Sequence, residues 1–340
     1  MATPVKVKEG GATALATQTV TLGKGLNMGL RAAMEADPKV IIMGEDVGKL
    51  GGVFRITDGL QKDFGEHRVL DTPLAESGIV GTAVGLAIRG YRPVCEIQFE
   101  GFIFPAFDQL TSQVAKLHFR SQGKIKLPMV IRVPFGGGIG AVEHHSESPE
   151  SYFSHTAGLR VVACSNAVDA YWMIQQAIRC DDPVLFFEPK RRYYEKTQLD
   201  VDAAPYPLFR SRVLRRGDTA TLISYGPMVK TCLDAASAAA EEGQSLEVID
   251  LRALSPMDLE PVFESVRRTG HAVVVSEAPR ESSLSSEIAA RIQEECFYFL
   301  DAPVLRVTGF DTPYPPSKLE EEFLPDLDRV LHNVDRSLAW

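Results

Sequence analysis

Two glutamates each follow a short apolar run that is typical of a buried strand. Glu45 comes just after Val40–Met43, and Glu76 comes shortly after Arg68–Leu70. If both runs are strands of one parallel sheet, the carboxylates lie at the edge where open α/β sheets bind ligands. Two carboxylates in different environments can divide the acid and base roles of a reaction. On spacing alone, two unrelated loop acids remain the alternative, and Glu76 would also suit the first turn of a helix, where the helix dipole favours an acid.

Adjacent histidines, His144 and His145, follow a glycine-rich loop at the end of another predicted strand. The loop reads Phe-Gly-Gly-Gly-Ile-Gly-Ala from 135 to 141. An imidazole on such a loop could transfer protons near neutral pH or stabilise developing charge. The alternative is a pair of polar surface residues. A dinucleotide-binding loop is a weaker interpretation, because His, Ser and Glu follow the glycines where that motif requires an apolar helix.

Glycines and aromatic residues near these acids suggest close packing. Gly78, Gly81 and Gly85 lie on neighbouring turns of the helix predicted after Glu76. Because glycine is a costly residue inside a helix, they predict that another backbone packs closely against it. Phe102 belongs to a run of aromatic residues that would normally be core. It lies in a strand-to-helix loop, however, from which it could stack on a planar ring.

Composition limits the class of protein. The chain has 340 residues, which suits two domains. Its net charge of −9 argues against a nucleic-acid surface, and no apolar run is long enough to span a membrane. The five scattered cysteines suit the cytoplasm and indicate neither a disulfide framework nor a zinc site. Residues 1–18 are interpreted as a mobile segment, not a targeting peptide.

The order of strand-like and helix-like segments predicts an α/β fold in two parts. In the first part, 19–190, the predicted helices include 22–36, 105–118 and 167–179, which alternate with short apolar strands. The polar, non-periodic segment 191–212 is interpreted as a linker. A smaller unit of alternating strands and helices, 213–340, follows it.

Taken in order, these segments resemble the beta subunit of the decarboxylating component of 2-oxo acid dehydrogenase complexes, with the branched-chain type looking closest. The resemblance covers nearly the whole chain after Thr19, and the number of matching blocks makes it specific. The blocks that carry it are Gly44–Gly48, Gly51–Arg55, Asp71–Ile79, Glu96–Phe99, Phe104–Gln109, His145–Glu150, Phe186–Lys190, Val248–Arg252 and Ser276–Ala278.

The resemblance implies a transketolase-like fold, in which a parallel-sheet domain that binds the pyrimidine of thiamin diphosphate precedes a smaller C-terminal α/β domain. It implies an active site shared with an alpha subunit in an α2β2 heterotetramer, where the alpha subunit holds the diphosphate through magnesium. The absence of a Gly-Asp-Gly segment with a downstream Asn from this sequence fits the beta role. The implied reaction is oxidative decarboxylation of a 2-oxo acid, with acyl transfer to lipoyl on an acyltransferase core.

Roles for individual residues also follow from the resemblance. Glu76 matches the glutamate that hydrogen-bonds ring nitrogen N1′ and thereby activates the cofactor. Leu74 and Gln98 would line the ring, and Phe102 would stack where relatives carry Tyr or Phe. His145, not His144, matches a histidine that aids transfer to lipoyl. A weaker correspondence places Glu45 among the cofactor-binding residues, as an acid linked to proton communication between paired sites.

The family often binds a structural potassium ion, partly through backbone carbonyls. The corresponding positions here are Met129, Ala177, Ile178, Cys180 and Asp182. Relatives commonly have Asp at the position of Cys180. A potassium ion, as a hard cation, binds oxygen and not a thiol, so the site would tolerate Cys180 only if the ligand is its backbone carbonyl.

Three hypotheses follow. The first is the catalytic beta subunit, acting on branched-chain 2-oxo acids as in branched-chain amino acid catabolism, with pyruvate or acetoin as alternative substrates. The second is a non-catalytic assembly subunit with the same fold, which would not need Glu76, Phe102 and His145 together. The third is a nicotinamide-dependent oxidoreductase that uses the glycine loop.

Overall fold

Two mainly parallel sheets covered by helices, together with a two-stranded antiparallel sheet, make up the computed structural model, which describes residues 17–340. The predicted mobile segment therefore lies outside the described residues, apart from Thr17 and from Gln18, which begins strand β1. The elements of the first domain are β1 Gln18–Thr21, α1 Leu22–Ala36, β2 Val40–Gly44, α2 Leu60–Phe64, β3 Val69–Asp71, α3 Glu76–Ile88, β4 Arg92–Glu96, α4 Leu117–Arg120, β5 Val130–Phe135, α5 Glu150–Ser154, β6 Arg160–Ala163, α6 Ala167–Arg179, β7 Val184–Pro189 and β8 Lys196–Leu199.

The C-terminal domain continues the alternation. Its elements are β9 Arg212–Arg215, β10 Ala220–Ser224, α7 Met228–Glu241, β11 Leu246–Asp250, β12 Ala253–Ser255, α8 Glu260–Thr269, β13 Ala272–Val275, α9 Leu284–Cys296, β14 Leu305–Val307, α10 Glu320–Phe323 and α11 Leu327–Leu338. Its five-stranded sheet has the order β14-β13-β10-β11-β9, in which only β9 runs antiparallel to its neighbour.

The larger sheet has the order β12-β6-β7-β5-β4-β2-β3. Its strands are parallel except β12, which comes from the C-terminal half of the chain and pairs antiparallel with β6. Successive residues of a strand point to opposite faces, and here both faces are buried: Ile42 packs in the cluster beneath α1 and α6, and Met43 packs in the cluster beneath α3. This explains why the strands read as continuous apolar runs.

Two predicted segments take a different form. The helix predicted over 105–118 is replaced by a 3-10 helix at Glu100–Ala106, a π-helix at Gln109–Val114 and the short α4. The helical segment begins at Glu100 and not at the proline, so Pro105 is internal to it and has no N–H for an α-helical bond, which favours the 3-10 form over Glu100–Ala106. The segment interpreted as a linker, 191–212, contains β8, which pairs antiparallel with β1.

Within residues 17–340, no helix is both long enough and apolar enough to cross a membrane.

Candidate functional site

Four neighbouring strands of the larger sheet, in the order β5-β4-β2-β3, end at the same edge. Glu45 directly follows β2, and Glu76 is the first residue of α3, just beyond β3. Both glutamates are buried, at 8% and 6% exposure. The structure thus brings together the two acids that the sequence placed after separate strands.

Glu45 is the less satisfied of the two acids. Its Oε1 is buried and has no hydrogen-bond partner within residues 17–340. Burial raises the pKa of Glu45, and the nearby charges of Glu76 and Asp46 raise it further. A buried oxygen without a partner favours a bound polar group at this edge, since leaving such an atom unpaired is costly.

Leu74 and Gln98, which are expected to flank a ring, lie beside these acids and differ in their surroundings. Leu74, just ahead of Glu76, is 80% exposed. Gln98 follows β4 and its Nε2 donates to Asp46 Oδ2 at 3.3 Å. An exposed leucine next to buried carboxylates gives a rim with an apolar side and a hydrogen-bonding side, which is how pockets for planar ligands are commonly built.

His145 lies in an aromatic cluster that holds its ring on two sides. Phe99 stacks on it with ring centroids 3.9 Å apart and an angle of 24° between the planes. Phe102 meets it edge-on, at 5.1 Å and 88°. The sequence singles out Phe102 but gives no role to Phe99. The position of Phe99 next to Gln98, at the same strand end, is the signal that could have identified it.

The hydrogen bonding of His145 defines its tautomer. Its Nδ1 lies 2.9 Å from the carbonyl oxygen of His144. Because a carbonyl only accepts, Nδ1 carries the hydrogen, and Nε2 is left as the basic nitrogen. Partial burial is the main cause that lowers the pKa of His145; the hydrogen bond to the His144 carbonyl opposes it, and the charge of Lys190 lowers the pKa further. The neutral form is therefore favoured at neutral pH.

Buried ion pairs that the sequence reasoning missed join β4, β5 and β7 and the segments that follow them, and one of their cations, Lys190, lies 6.0 Å from the centre of the Phe99 ring. Lys190 Nζ donates to Glu100 Oε2 at 2.5 Å, and both side chains are fully buried. Arg132 donates to both oxygens of Glu188, at 2.6 and 2.9 Å, and to Glu96. Because a buried charge without its partner is strongly destabilising, these pairs fix the positions of the strand ends that carry the site.

Backbone amides of the glycine-rich loop after β5 are hydrogen-bonded to side chains of the same chain. The N–H groups of Gly137, Gly138 and Gly140 donate to carboxylate oxygens of Glu277 and Glu320, at 2.7 to 2.8 Å. A dinucleotide would need such amides free for its phosphates. This geometry therefore argues against the nicotinamide hypothesis.

The glycines of α3 have the opposite surroundings. A Cβ at Gly81 or Gly85 would meet nothing within 4 Å in the described chain, and at Gly78 only the Cβ of Ala75, at 3.6 Å. All three are exposed, as is Ile88 at the end of the helix. The expected close packing of another backbone is therefore not made within residues 17–340.

The predicted potassium positions gather at the other edge of the sheet, near the starts of β5 and β7. The carbonyl oxygens of Ile178 and Cys180 accept hydrogen bonds from Arg92 Nη1 at 2.9 and 3.2 Å. Those of Ala177 and Met129 accept from backbone amides of the chain, and the carboxylate of Asp182 accepts from Arg160. With a guanidinium already on two of these carbonyls, the residues as they stand do not fit a potassium ion.

Comparisons with known proteins agree with this architecture. Residues 18–196 match the family model described as transketolase, pyrimidine binding domain, and residues 210–330 match transketolase, C-terminal domain. A solved structure described as a split-gene transketolase, inactive beta4 tetramer, superposes with a TM-score of 0.78 at 21% identity, covering 94% of this chain and 98% of that one.

Two curated relatives span almost the whole chain. The chain is 61% identical to the pyruvate dehydrogenase E1 component subunit beta of Leifsonia xyli subsp. xyli, over 95% of this chain and 96% of the relative. It is 51% identical to the 3-methyl-2-oxobutanoate dehydrogenase subunit beta of Mycobacterium tuberculosis (strain ATCC 25618 / H37Rv), over 95% of this chain and 93% of the relative. The names of these two relatives refer to different 2-oxo acids.

Proposed function

Since the chain belongs to the beta subunits of the thiamin-diphosphate-dependent E1 component of 2-oxo acid dehydrogenases, we propose that it decarboxylates a 2-oxo acid together with an alpha subunit and passes the acyl group to lipoyl on an acyltransferase core. The observation that carries this proposal is the buried pair Glu45 and Glu76 at the open edge of the sheet, with Glu45 Oε1 left without a partner in the described chain.

Glu76 is assigned the central role. Its buried carboxyl at the start of α3 is suited to share a hydrogen bond with nitrogen N1′ of the aminopyrimidine ring. Glu45, whose pKa is raised by burial and by the charge of Glu76, is suited to hold a proton beside it. When bound, the cofactor supplies the electron sink for decarboxylation.

The remaining predicted residues are assigned to binding and transfer. Leu74, Gln98 and Phe102 would form the wall and rim against the ring. His145 has Nε2 as its basic nitrogen and is favoured in the neutral form, so it can take or return a proton during transfer to lipoyl. The diphosphate and its magnesium would be held by the alpha subunit, in an α2β2 heterotetramer.

The substrate is proposed to be a branched-chain 2-oxo acid or pyruvate. The segments 51–55 and 186–190 favour the branched-chain class by resemblance, whereas the 61% identical relative is named for pyruvate. A decarboxylation assay of the assembled enzyme with pyruvate and 3-methyl-2-oxobutanoate distinguishes them, because the preferred substrate has the highest kcat/KM. Acetoin has no carboxyl group to lose, so its cleavage is followed separately by the release of acetaldehyde.

Replacing Glu76 by Gln tests the proposed reaction. The change keeps the shape of the side chain but removes its acid, so decarboxylation by the assembled enzyme should fall by about 100-fold or more. Thermal unfolding should show an unchanged fold. Glu66→Gln, at an exposed glutamate of the same domain, is the matched control and should keep full activity.

Near-normal turnover of the Glu76→Gln enzyme would refute the role of Glu76. A wild-type chain that assembles with its alpha subunit and acyltransferase core, yet decarboxylates none of the substrates, would instead support the assembly-subunit hypothesis.

A further inference from the structure

The loop that carries His145 is closed at its base. The N–H of Gly136, at the end of β5, donates to the carbonyl oxygen of Glu147 at 2.9 Å. The residues between them include the glycines and both histidines, and residues 138–140 and 142–144 are exposed. A loop of this kind, exposed and rich in glycine, has few contacts of its own to hold its shape.

The C-terminal domain supplies the missing contacts through two glutamates. Glu277, which follows β13, accepts the N–H of Gly137 with its Oε1 at 2.7 Å. Glu320, the first residue of α10, accepts the N–H of Gly138 with Oε1 and that of Gly140 with Oε2, both at 2.8 Å. Both glutamates are buried, where a hydrogen bond is electrostatically stronger than in water and a polar group left without a partner is costly.

Two further side chains hold the glutamates in place. Tyr314 Oη donates to Glu320 Oε1 at 2.7 Å. Arg191 Nη1 lies 3.9 Å from Glu277 Oε2 and offsets its charge. The ring of Tyr314 also lies so close to the loop that a Cβ at Gly137 would overlap its hydroxyl oxygen. The loop and the C-terminal domain therefore pack closely against each other.

This contact bears on His145 because little chain separates them. Gly140 is five residues before His145, whose ring stacks on Phe99, meets Phe102 edge-on and donates from Nδ1 to the carbonyl oxygen of His144. These contacts are individually weak, since an aromatic pair contributes only about 0.5–1.5 kcal/mol beyond its burial. The three hydrogen bonds from loop amides to Glu277 and Glu320 fix the backbone that leads to His145, and so they limit the positions that its ring can take.

We propose that Glu277 and Glu320 are positioning residues for His145, through which the C-terminal domain holds the transfer loop in its working shape. This inference rests on the proposed function. Neither glutamate touches the proposed reacting atoms; both act through the backbone of the loop.

Two activities of the same assembled enzyme separate a positioning role from a structural one. Decarboxylation is followed with ferricyanide as an artificial electron acceptor, which does not require lipoyl. Acyl transfer is followed with an isolated lipoylated domain. In Glu320→Ala, we expect the kcat for the lipoylated domain to fall on the order of tenfold, because misplacement of a catalytic group is costly, while the ferricyanide rate stays nearly unchanged.

Controls and a second variant keep the test decisive. Glu322→Ala removes an exposed glutamate from the same short helix and should change neither rate. If Glu320→Ala unfolds, Glu320→Gln replaces it, since the amide keeps one accepting oxygen but turns an N–H group towards a backbone donor. Equal losses of both rates, or no loss of either, would overturn the inference.

Amide hydrogen exchange provides a readout that does not depend on activity. We expect faster exchange at residues 137–147 in Glu320→Ala and no change in Glu322→Ala. Unchanged exchange would overturn the proposed hold on the loop. A wild-type enzyme without either activity would refute the proposed function separately, and the exchange experiment would still test the contact.

Discussion

Two glycine-rich segments of this chain look alike in sequence but have opposite surroundings. In the loop at 136–140, the amides bind carboxylates of the same chain, and a Cβ at Gly137 would overlap Tyr314. In α3, a Cβ at Gly81 or Gly85 would meet nothing within 4 Å in the described chain. A glycine can thus be required by the fold of its own chain, as at Gly137, or lie open in the described chain, as at Gly81 and Gly85, where we expect a partner to pack.

The largest expected effect is on assembly. Leucine at both Gly81 and Gly85 should prevent association with the alpha subunit or a second beta chain, because a tight backbone contact cannot admit two large side chains. The isolated chain should be at least as stable as wild type, since leucine favours a helix more than glycine does. Light scattering measures assembly, and alanine at both positions should give a smaller effect. An intact tetramer with both leucines would contradict a partner contact at this face.

The matching change in the loop should destabilise the chain itself. Gly137→Ala places a methyl group against the ring of Tyr314, and such overpacking typically costs about 1–3 kcal/mol. Urea unfolding of the isolated chain measures the loss. In a Tyr314→Ala background the same substitution should cost less, because the obstructing ring is gone. A full cost in that background would show that the strain arises elsewhere.

The pH dependence of unfolding tests whether Glu150, which lies just beyond the loop, is shielded from solvent. Burial raises the pKa of Glu150 to about 7, and the charge of Glu277 adds to it, although Tyr225 Oη donates to Glu150 Oε1 at 2.7 Å. The folded state then binds a proton more tightly than the unfolded state does. This stabilisation, fully present below the ordinary glutamate pKa, is lost as pH rises through about 7.

Glu150→Gln should therefore make unfolding less dependent on pH. The wild type should lose up to about 3 kcal/mol more than the variant between about pH 5 and pH 8, at about 1.36 kcal/mol for each unit of pKa shift. Urea unfolding at the two pH values gives the difference. Identical pH dependence in both proteins would show that Glu150 titrates normally and that solvent reaches it.

The smallest expected effect concerns the end of α6, where Arg92 meets the carbonyls of Ile178 and Cys180. Arg92→Ala should lower the melting temperature by a few degrees, since hydrogen bonds from a charged donor contribute about 1.5–3 kcal/mol. Replacing potassium by sodium at equal ionic strength should leave the wild type unchanged. A potassium-specific rise in melting temperature would show that the ion binds despite the guanidinium.

Much of the fold could be predicted from local patterns. The bounds expected for α1 and α6 agree with the structure, because each has apolar residues at helical spacing and a clear stop. The short strands β1, β8 and β12 were missed, because each pairs with a strand distant in the sequence and carries little pattern of its own.

The candidate site was predicted less completely. Strand ends located Glu45 and Glu76, since carboxyl ends of parallel strands meet at one edge. The hold of Glu277 and Glu320 on the glycine loop could not be inferred, because it joins residues 140 or more positions apart. For α3 the glycines predict close packing of another backbone, which the described chain does not make, so that contact stays a prediction.

Strand β12 has a consequence for how the protein is made. In the chain it follows β9, β10 and β11 of the C-terminal sheet. It nevertheless belongs to the first sheet, where it forms the edge strand next to β6. On the ribosome, β6 therefore stays an unpaired edge until residue 255 has emerged, and open edges readily join other chains. A nascent chain or a truncated product that ends near residue 212 carries this edge permanently, so it should aggregate rather than persist as an independent domain.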